Sequence, residues 1–483
     1  MNDDASLKGL SESLRSLSLA RRVLFMMLAG FVQALCYPPF GVALLLPLTV
    51  ASFFLLLTGL NVKLAFRVGF AYGFVWFMTD LFWFTRIFST AAISLWAIMA
   101  FFCGVTAGLL VWLPQRLPAI PAWLLIALTW TGIEYYRSEL FPLSFGWLGL
   151  GYGVLNDHLL ARIATCLGCY GVTFVVATVA ALIAIAAVKR GSREQVKVAA
   201  IAFALFLVLY ITPGPAPEKV RPLNLRLVQA PSEDDADQNR LSMAIPGRLV
   251  DFIVWPEYSF LSNPLRQRIL RAGLEKIAQS NNAYLLFGGE DVFNNMDPAG
   301  FRNTAFLLDR TGHLVGTHVK NHTVHLFRDG QKGKEAKAIQ TDMGRIGVGI
   351  CFDMDYPDIA RRLTQDGAEL LLVPNNDPPN WGPIQRIQHR MMFQMRALEC
   401  GRWLARADVA GGTSVATPTG VEFAHVTTTG AAKLEATVYR STYKNLFVRG
   451  GWRFGSTCFY ATVVLWIVAL LRRSRHEEQL IRV

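Results

Sequence analysis

Eight long apolar runs constrain the fold of this chain more than any other feature of its sequence. Seven runs precede a polar stretch of about 240 residues, and one follows it. A helix needs roughly 17 to 25 apolar residues to cross the hydrocarbon core of a bilayer. Because 53% of the 483 residues are hydrophobic and only 17% are charged, the chain has more apolar sequence than one soluble core requires. The runs predict eight transmembrane helices, at about 22–36, 42–60, 65–85, 92–114, 119–135, 165–188, 198–212 and 455–471.

Basic residues in the short loops predict how these helices are oriented. Loops rich in Lys and Arg stay on the cytoplasmic side of a membrane, and with eight helices every basic cluster falls on one side. Both termini are then cytoplasmic, and the polar stretch and the loop at 136–164 lie on the outer face of the plasma membrane. The net charge of +12 therefore reflects topology and anionic lipid, and nucleic acid is not an expected partner. The clusters are Arg15, Arg21 and Arg22; Lys63 and Arg67; Arg116; Lys189, Arg190, Arg193 and Lys197; and Arg472, Arg473 and Arg475.

The polar stretch predicts a separate domain inserted before the last helix. We expect a seven-helix transmembrane region at 1–212, an extracytoplasmic domain at 213–454, and a final helix with a cytoplasmic tail at 455–483. The first apolar run is short and follows basic residues, as in a cleavable signal peptide. No small-residue cleavage pattern precedes Cys36-Tyr37-Pro38-Pro39-Phe40, which favours a retained helix.

Strand-length and helix-length patterns alternate along the inserted domain. Such alternation predicts α/β layers in which chemistry lies at strand ends. The acidic run from Glu233 to Asp237 is expected to be a solvated loop. Predicted strands cover 223–228, 249–254, 283–287, 305–308, 346–350 and 370–373, and predicted helices cover 264–279, 357–366 and 383–400.

Cysteine and histidine spacings give no metal or redox site. Five of the seven cysteines lie in or beside apolar runs, where Cys behaves as a small hydrophobe, and Cys166-Leu-Gly-Cys169 has no second pair to complete a metal site. The cluster of His318, His322 and His325 also lacks further ligands, so we expect no metal and no cofactor. In the polar domain, Cys400 fits buried packing, although a disulfide to Cys351 remains open.

Three side chains in the polar domain could together perform acyl transfer. Glu257, Lys320 and Cys351 are spaced by 63 and 31 residues, and each comes at the end of a predicted strand. A thiol is nucleophilic only as the thiolate, so it needs a base to take its proton and a cation to stabilise its charge. The carboxylate and the amine provide these two functions.

The motifs around these residues resemble the nitrilase superfamily of carbon–nitrogen hydrolases. They are Val-Trp-Pro-Glu at Glu257, His-Val-Lys-Asn-His at Lys320, and Gly-Ile-Cys-Phe-Asp at Cys351. The membrane part narrows the resemblance to apolipoprotein N-acyltransferase, on the segments 36–40, 143–153, 373–377, 390–399 and 404–407. The resemblance implies a membrane α-helical bundle of about eight transmembrane helices joined to a nitrilase-like αββα sandwich.

The resemblance also implies a role for each site residue. Glu257 would be the general base, Lys320 would stabilise the oxyanion with the backbone N–H of Phe352, and Cys351 would form a thioester. Asp329 would replace a second glutamate of the family pattern. Further supporting or substrate-binding residues would be Asp353, Trp147 and Glu399.

The implied reaction moves an acyl chain from a phospholipid to the α-amino group of the diacylglyceryl-cysteine of a lipoprotein, at a bacterial plasma membrane. Several residues depart from the family pattern. Asp353 stands in place of a glutamate, Asp408-Val409 in place of Thr-Asn, and 231–249 is short for the expected long helix. Two alternatives therefore stay open: a membrane-tethered amidase that hydrolyses a C–N bond, and a non-catalytic relative that binds lipid or lipoprotein.

Overall fold

A computed structural model describes residues 9–155, 162–188, 192–211, 220–231, 235–294, 297 and 300–472. The chain divides into two compact units, one formed by 1–212 with 453–483 and the other by 213–452. Within the described residues, the first unit is helical and the second holds every strand. The predicted boundary at 212/213 and the basic residues Lys189, Arg190, Arg473 and Arg475 lie outside the described residues.

Each of the eight predicted apolar runs coincides with a helix of the first unit. The agreement follows from apolar composition, because a backbone without polar neighbours satisfies its own hydrogen bonds most simply as a helix. The described helices of this unit are Gly9–Ser16, Leu19–Ala34, Leu46–Leu56, Val62–Asp80, Thr85–Phe88, Ala92–Arg116, Ala122–Tyr135, Ala164–Val188, Ser192–Ile211 and Phe454–Leu471.

Fewer of these helices are long and apolar enough to cross a bilayer than the eight expected. Among the described residues, three segments qualify: Phe82–Arg116, Ala164–Val188 and Gly451–Leu471. The pair Leu10–Ser16 and Leu19–Ala34, bent by 111°, makes a fourth if it forms one span. Helix Leu46–Leu56 has 11 residues, which at 1.5 Å per residue extend about 16 Å and fall short of a bilayer core of about 30 Å. The first unit is therefore a helical region with about three candidate membrane spans.

Two arginines tie helix ends of this unit together. The Arg22 guanidinium is buried and its Nη1 donates to the carbonyl oxygens of Leu56 at 2.8 Å and Thr58 at 2.9 Å. Arg116 Nη1 donates to the carbonyl oxygen of Arg472 at 2.7 Å. The beginning of the first long helix thus lies beside the end of Leu46–Leu56, and the end of Ala92–Arg116 lies beside the end of Phe454–Leu471.

Two six-stranded sheets form the second unit. The first has the order β12-β1-β2-β3-β4-β5 and the second has the order β11-β10-β9-β8-β7-β6. Strands β1, β2 and β3 are parallel to one another, as are β7, β8 and β9, and the remaining neighbours are antiparallel. The strands are β1 Val220–Gln229, β2 Phe252–Val254, β3 Tyr284–Val292, β4 Phe301–Leu308, β5 Leu314–Val319, β6 Ile339–Thr341, β7 Gly344–Val348, β8 Leu370–Pro374, β9 Leu404–Ala407, β10 Ser414–Ala416, β11 Glu422–His425 and β12 Ala432–Arg440.

The two sheets pack face to face around an apolar core, with helices on the outer faces. Alternate residues of β2 show this arrangement, because Phe252 and Val254 join the core between the sheets whereas Ile253 packs with Leu274 of an outer helix. Burying this apolar area is the main stabilising contribution to the fold. The described helices of the unit are Asp235–Ser242, Arg268–Asn281, Pro357–Gln365, Pro383–Cys400 and Leu446–Arg449.

All six predicted strands and all three predicted helices of this unit are present. The predictions missed the other six described strands, among them β9, which contains the buried Arg406, and β12 at the sheet edge. The acidic run predicted as a loop becomes helical from Asp235 onwards, and its residues 233 and 234 lie outside the described residues. The helix there has only 8 residues, consistent with the short connection seen in the sequence.

Candidate active site

Glu257, Lys320 and Cys351 each follow a strand, as the sequence predicted, and all three are buried. Glu257 comes three residues after β2, Lys320 directly after β5, and Cys351 three residues after β7. Strands β2 and β7 are inner strands of their two sheets, so the two strand ends meet where the sheets face each other.

Lys320 and Glu257 form the centre of a buried polar cluster. The Lys320 Nζ lies 2.8 Å from Glu257 Oε1 and 2.8 Å from Asp329 Oδ2. Asn303 Nδ2 donates to Glu257 Oε1 at 2.6 Å and to Asp329 Oδ1 at 2.9 Å. The Tyr258 hydroxyl donates to Asp329 Oδ1 at 2.6 Å. One ammonium group is thus shared by two carboxylates that are held in place by neutral donors.

Cys351 occupies a strained turn at the edge of this cluster. Its φ is +45°, in the left-handed region that L-residues with a side chain rarely adopt, and such strain is common at functional sites. A Cβ on the nearby Gly349 would lie 2.1 Å from the Met354 Cε, so a side chain there would displace the end of Met354. The Asn376 backbone N–H lowers the pKa of the Cys351 thiol.

The charges of the cluster define its resting protonation state. Burial raises the pKa of the Cys351 thiol and the Glu257 charge raises it further, whereas Lys320 opposes them. Burial also raises the pKa of Glu257, although Lys320 works against this increase. Burial disfavours the charged form of Lys320, but Asp329 and Glu257 outweigh it and hold its pKa well above the usual value. The site therefore presents a neutral thiol, a carboxyl group of raised pKa and a permanent ammonium.

Asp353 joins the segment of Lys320 to the turn of Cys351. Its Oδ1 accepts the backbone N–H groups of Asn321 and His322, each at 2.9 Å, and its Oδ2 accepts the Ile350 N–H at 3.1 Å and lies 2.9 Å from His318 Nε2. Burial alone would raise the pKa of Asp353, but the bonds from His318 and the backbone lower it overall. Although Asp353 is shorter than the glutamate of the family pattern, both of its carboxylate oxygens thus have hydrogen-bond partners.

A second buried network lies next to Cys351, and no local sequence pattern predicts it. His389 lies between Asp355 and Asp377, and Asp377 also pairs with Arg406. Asp408 approaches the same arginine at 3.8 Å. The segment containing Asp377 was noticed only as part of a family motif. His389 is 12 residues from Asp377 and 34 residues from Asp355 in the sequence, and pairs at such separations leave no local sequence pattern.

One group of donor atoms is close enough together to consider as a metal site. Within the described part of the chain, the side chains of Cys351, Asp377 and His389 offer atoms within 4.8 Å of one another. Both His389 nitrogens already contact carboxylates, and Asp377 already accepts from Arg406 and Gln385. These donors are engaged with protein partners, so they do not form a ligand set for an ion. Of the histidines weighed in the sequence, His318 contacts Asp353 and His322 contacts Asp358.

The remaining predicted residues lie in different surroundings. Phe352 is half-buried, with its ring edge-on to Tyr356 at 5.5 Å. Glu399 lies in the last turn of helix Pro383–Cys400 and pairs with Arg396, both fully buried. Trp147 belongs to the first unit, where its ring stacks on Phe145 at 5.7 Å. Cys351 and Cys400 are both free thiols, so the disulfide left open by the sequence is absent.

The fold and this site define the second unit as a carbon–nitrogen hydrolase domain, and the family model of that description matches residues 225–445. A second model, for the apolipoprotein N-acyltransferase N-terminal domain, matches residues 29–182. The chain thus joins a segment similar to the apolipoprotein N-acyltransferase N-terminal domain to a segment similar to carbon–nitrogen hydrolases.

Relatives named apolipoprotein N-acyltransferase align along most of the chain. The protein from Geobacter metallireducens is 26% identical, with 95% of this chain and 97% of the relative covered. The protein from Pseudomonas aeruginosa strain PAO1 is 27% identical, with 81% of this chain and 85% of the relative covered. Among solved structures, a carbon–nitrogen hydrolase from Helicobacter pylori G27 covers 50% of this chain and 99% of its own, at 17% identity and a TM-score of 0.40.

Proposed function

We propose that this chain is a membrane-bound N-acyltransferase that completes the acylation of lipoproteins. It would move an acyl chain from a phospholipid, through a thioester on Cys351, to the α-amino group of a diacylglyceryl-cysteine. The observation that carries the proposal is the buried Glu257–Lys320 pair beside a strained cysteine, in a chain whose other unit has apolar helices. The relatives that align with most of the chain bear the name of this activity.

The first half-reaction forms the thioester. Glu257 takes the Cys351 proton, and the sulfur attacks the ester carbonyl carbon of the phospholipid. The resulting oxyanion is stabilised by the Lys320 ammonium and the Phe352 backbone N–H. When the tetrahedral intermediate collapses, the C–O bond breaks and Glu257 returns the proton to the leaving alcohol, which gives a lysophospholipid. A Glu257 carboxyl of raised pKa suits both proton transfers, because it can be base and acid in turn.

The second half-reaction uses the same groups. The neutral α-amine of the acceptor attacks the thioester carbonyl, Glu257 accepts the amine proton, and the thiolate leaves as the amide forms. Glu257 then returns that proton to Cys351. Asp329 supports both steps indirectly, because its contact with Nζ at 2.8 Å keeps Lys320 charged when Glu257 is protonated.

The helical unit explains why a nitrilase-like domain would act on lipids. Both proposed substrates carry acyl chains, and each buried CH₂ contributes about 0.8 kcal/mol. Helices that contact lipid would let these chains stay in an apolar environment. In this proposal Trp147, whose side chain is 4% exposed, helps shape the helical unit near the lipid, and Glu399 supports the catalytic domain through its pair with Arg396.

We further propose eight transmembrane helices, with both termini in the cytoplasm and the catalytic domain on the outer face of a bacterial plasma membrane. The helix-end contacts support this topology. Arg22 at the beginning of the first span bonds Leu56 near the end of the second, and Arg116 at the end of the fourth bonds Arg472 after the eighth. With eight crossings, each pair falls on the cytoplasmic side. A reporter fused after Arg193 should be cytoplasmic, and external labelling there would contradict the topology.

Mass spectrometry of the full-length protein tests the proposed reaction. After incubation with a phospholipid of defined acyl chains, the peptide containing Cys351 should gain one acyl mass, and a diacylglyceryl-cysteine peptide should then remove it and become N-acylated. Cys351→Ser should show no hydroxylamine-sensitive adduct, whereas Cys400→Ser is the matched control, since Cys400 is also buried and free. Release of the acyl group to water but not to the peptide would favour the hydrolase alternative. Absence of any adduct would favour the non-catalytic one.

A further inference from the structure

His389 is held between two buried carboxylates next to the proposed nucleophile. Its Nε2 lies 2.9 Å from Asp355 Oδ1, and its Nδ1 lies 2.9 Å from both oxygens of Asp377. The ring is 3% exposed, and it packs edge-on against Phe393 at 4.9 Å. Donor atoms of His389 and Asp377 come within 4.8 Å of the Cys351 sulfur.

The contacts of this ring fix its charge. A neutral imidazole has one N–H and can donate to one carboxylate only, whereas the imidazolium has two N–H groups. Ring nitrogens that both face carboxylates therefore indicate the imidazolium. Burial works against this charge, but Asp377 and Asp355 outweigh it and raise the pKa of His389 to about 9.

The surroundings of Cys351 contain more acidic than basic groups. The charges of Glu257, Lys320 and Asp377 act on the thiol, and Arg406 interacts with it as well. A carboxylate beside the sulfur opposes formation of the thiolate. His389 and Arg406 are the cations that offset Asp377. The other acidic groups of this network are Asp355 and Asp408.

The same network fixes the backbone that contacts the nucleophile. Asp377 N donates to Asp408 Oδ1 at 2.8 Å, and the Asn375 side chain donates to that oxygen at 2.7 Å. Between them, the Asn376 backbone N–H lowers the pKa of the Cys351 thiol. The Asn375 carbonyl oxygen accepts the Glu257 N–H at 3.2 Å. The segment from Asn375 to Asp377 thus bridges the base and the thiol.

We propose that His389 is a positioning residue of the acyl-transfer site: as an imidazolium clamped by Asp355 and Asp377, it offsets the Asp377 charge and holds the segment from Asn375 to Asp377 beside the Cys351 sulfur. This inference rests on the proposed function only in taking Cys351 as the nucleophile. His389 does not exchange a proton with the substrate. Its contribution is to make the Cys351 thiolate accessible at a lower pH than burial alone would allow.

The pH dependence of Cys351 alkylation in the full-length, detergent-solubilised protein tests this inference. Iodoacetamide labelling of the Cys351 peptide is followed by mass spectrometry between pH 6 and pH 10. His389→Asn should shift the midpoint upwards by at least about one unit, equivalent to about tenfold slower labelling below the midpoint. Asp355→Asn leaves Asp377, the larger contributor to the His389 charge, in place. Because it removes one nearby negative charge, it should shift the midpoint downwards. The exposed His313 gives the matched control, and His313→Asn should leave the midpoint unchanged.

The double variant separates charge from packing. The variant that combines Asp355→Asn with His389→Asn loses one charge of each sign, so its alkylation midpoint should return towards that of the unmodified protein. If His389→Asn acts through lost packing instead, the midpoint of the double variant should be at least as high as that of His389→Asn. If His389→Asn does not fold, the direction of the midpoint shift in Asp355→Asn alone still tests the inference: a downward shift supports it and an upward shift contradicts it. Shifts in the same direction for both single variants would overturn the inference. So would stoichiometric zinc in the purified protein that is lost in His389→Asn, since a metal would then replace the proton.

Labelling also distinguishes this inference from the proposed function. If the unmodified protein forms no acyl adduct but the alkylation midpoints shift in opposite directions, the proposed function fails and the role of His389 stands. If acylation proceeds and the midpoints do not move, the role of His389 fails and the proposed function stands.

Discussion

Glutamine in place of Glu257 would remove a proton acceptor while leaving the shape of the site nearly unchanged. The Asn303 and Lys320 donors that now face Glu257 Oε1 would find an amide oxygen instead. Lys320 would keep Asp329 at 2.8 Å, so one buried cation would still face one buried anion. Because no buried charge is left unpaired, the large destabilisation that follows removal of one partner of an ion pair is not expected here.

The two chemical properties of Cys351 should respond differently to Glu257→Gln. General acid–base catalysis by one side chain contributes roughly 10²- to 10⁴-fold, so the acylation rate should fall by that factor, equivalent to about 3 to 5 kcal/mol in activation free energy. Alkylation depends on the amount of thiolate. Since the Glu257 charge raises the pKa of the thiol, its removal should leave alkylation at neutral pH unchanged or faster.

Both rates can be measured on one purified sample. Rapid quench followed by intact-protein mass spectrometry gives the rate at which Cys351 gains an acyl group from phospholipid, and iodoacetamide under the same conditions gives the rate of alkylation. Acylation within threefold of the unmodified enzyme would refute the assignment of Glu257 as base and acid. A parallel fall of both rates would show that the substitution distorts the turn at Cys351, and it would refute the charge argument.

Three further perturbations test other parts of the structure. Lys320→Met leaves Glu257 and Asp329 buried without their shared cation. This variant should not form the acyl adduct, and its free energy of unfolding should be lower by about 3 to 5 kcal/mol. An unchanged Tm would contradict the expected loss of stability. Asp353 has a lowered pKa, so its stabilisation is complete above its ordinary pKa of about 4 and is lost as pH falls through the lower folded value. Asp353→Asn should therefore reduce Tm at pH 7 and have less effect near pH 3, and an equal reduction at both pH values would count against the pairing. In the helical unit, a Cβ added at Gly69 would lie 2.8 Å from the Cys103 carbonyl oxygen, which is too close, so Gly69→Ala should lower the Tm in detergent. A Cβ added at Gly108 would lie 3.4 Å from Val62 Cγ1, an ordinary contact, so Gly108→Ala should leave the Tm unchanged.

Local sequence patterns predict the inner strands and the positions at which these strands end. The apolar runs before Glu257 and Cys351 are strands, and the helix predicted at 383–400 has those bounds. Local patterns predict the membrane spans less well, because the length and the bending of each helix determine whether it can cross a bilayer. The apolar run at 42–60 predicts one span, whereas its α-helix covers only Leu46–Leu56.

Long-range polar contacts explain what the sequence reading missed at the site. Asn303 was not singled out, although it donates to two carboxylates that are 46 and 26 residues away. Asp353 stands in place of a glutamate of the family pattern, and only the structure shows its partners, which are His318 and three backbone N–H groups. Each contact depends on which strands become neighbours, and that information is spread over the whole domain.

The pairing of β1 with β12 has a consequence for biosynthesis. Val220 at the start of β1 lies opposite Arg440 at the end of β12, so the first strand to emerge from the ribosome obtains its second neighbour about 200 residues later. Until then one edge of β1 lacks a partner, and open edges invite pairing with other polypeptides. Translation of residues 432–440 would thus close the sheet just before the last apolar helix is made, and chains that stop earlier would be candidates for quality control.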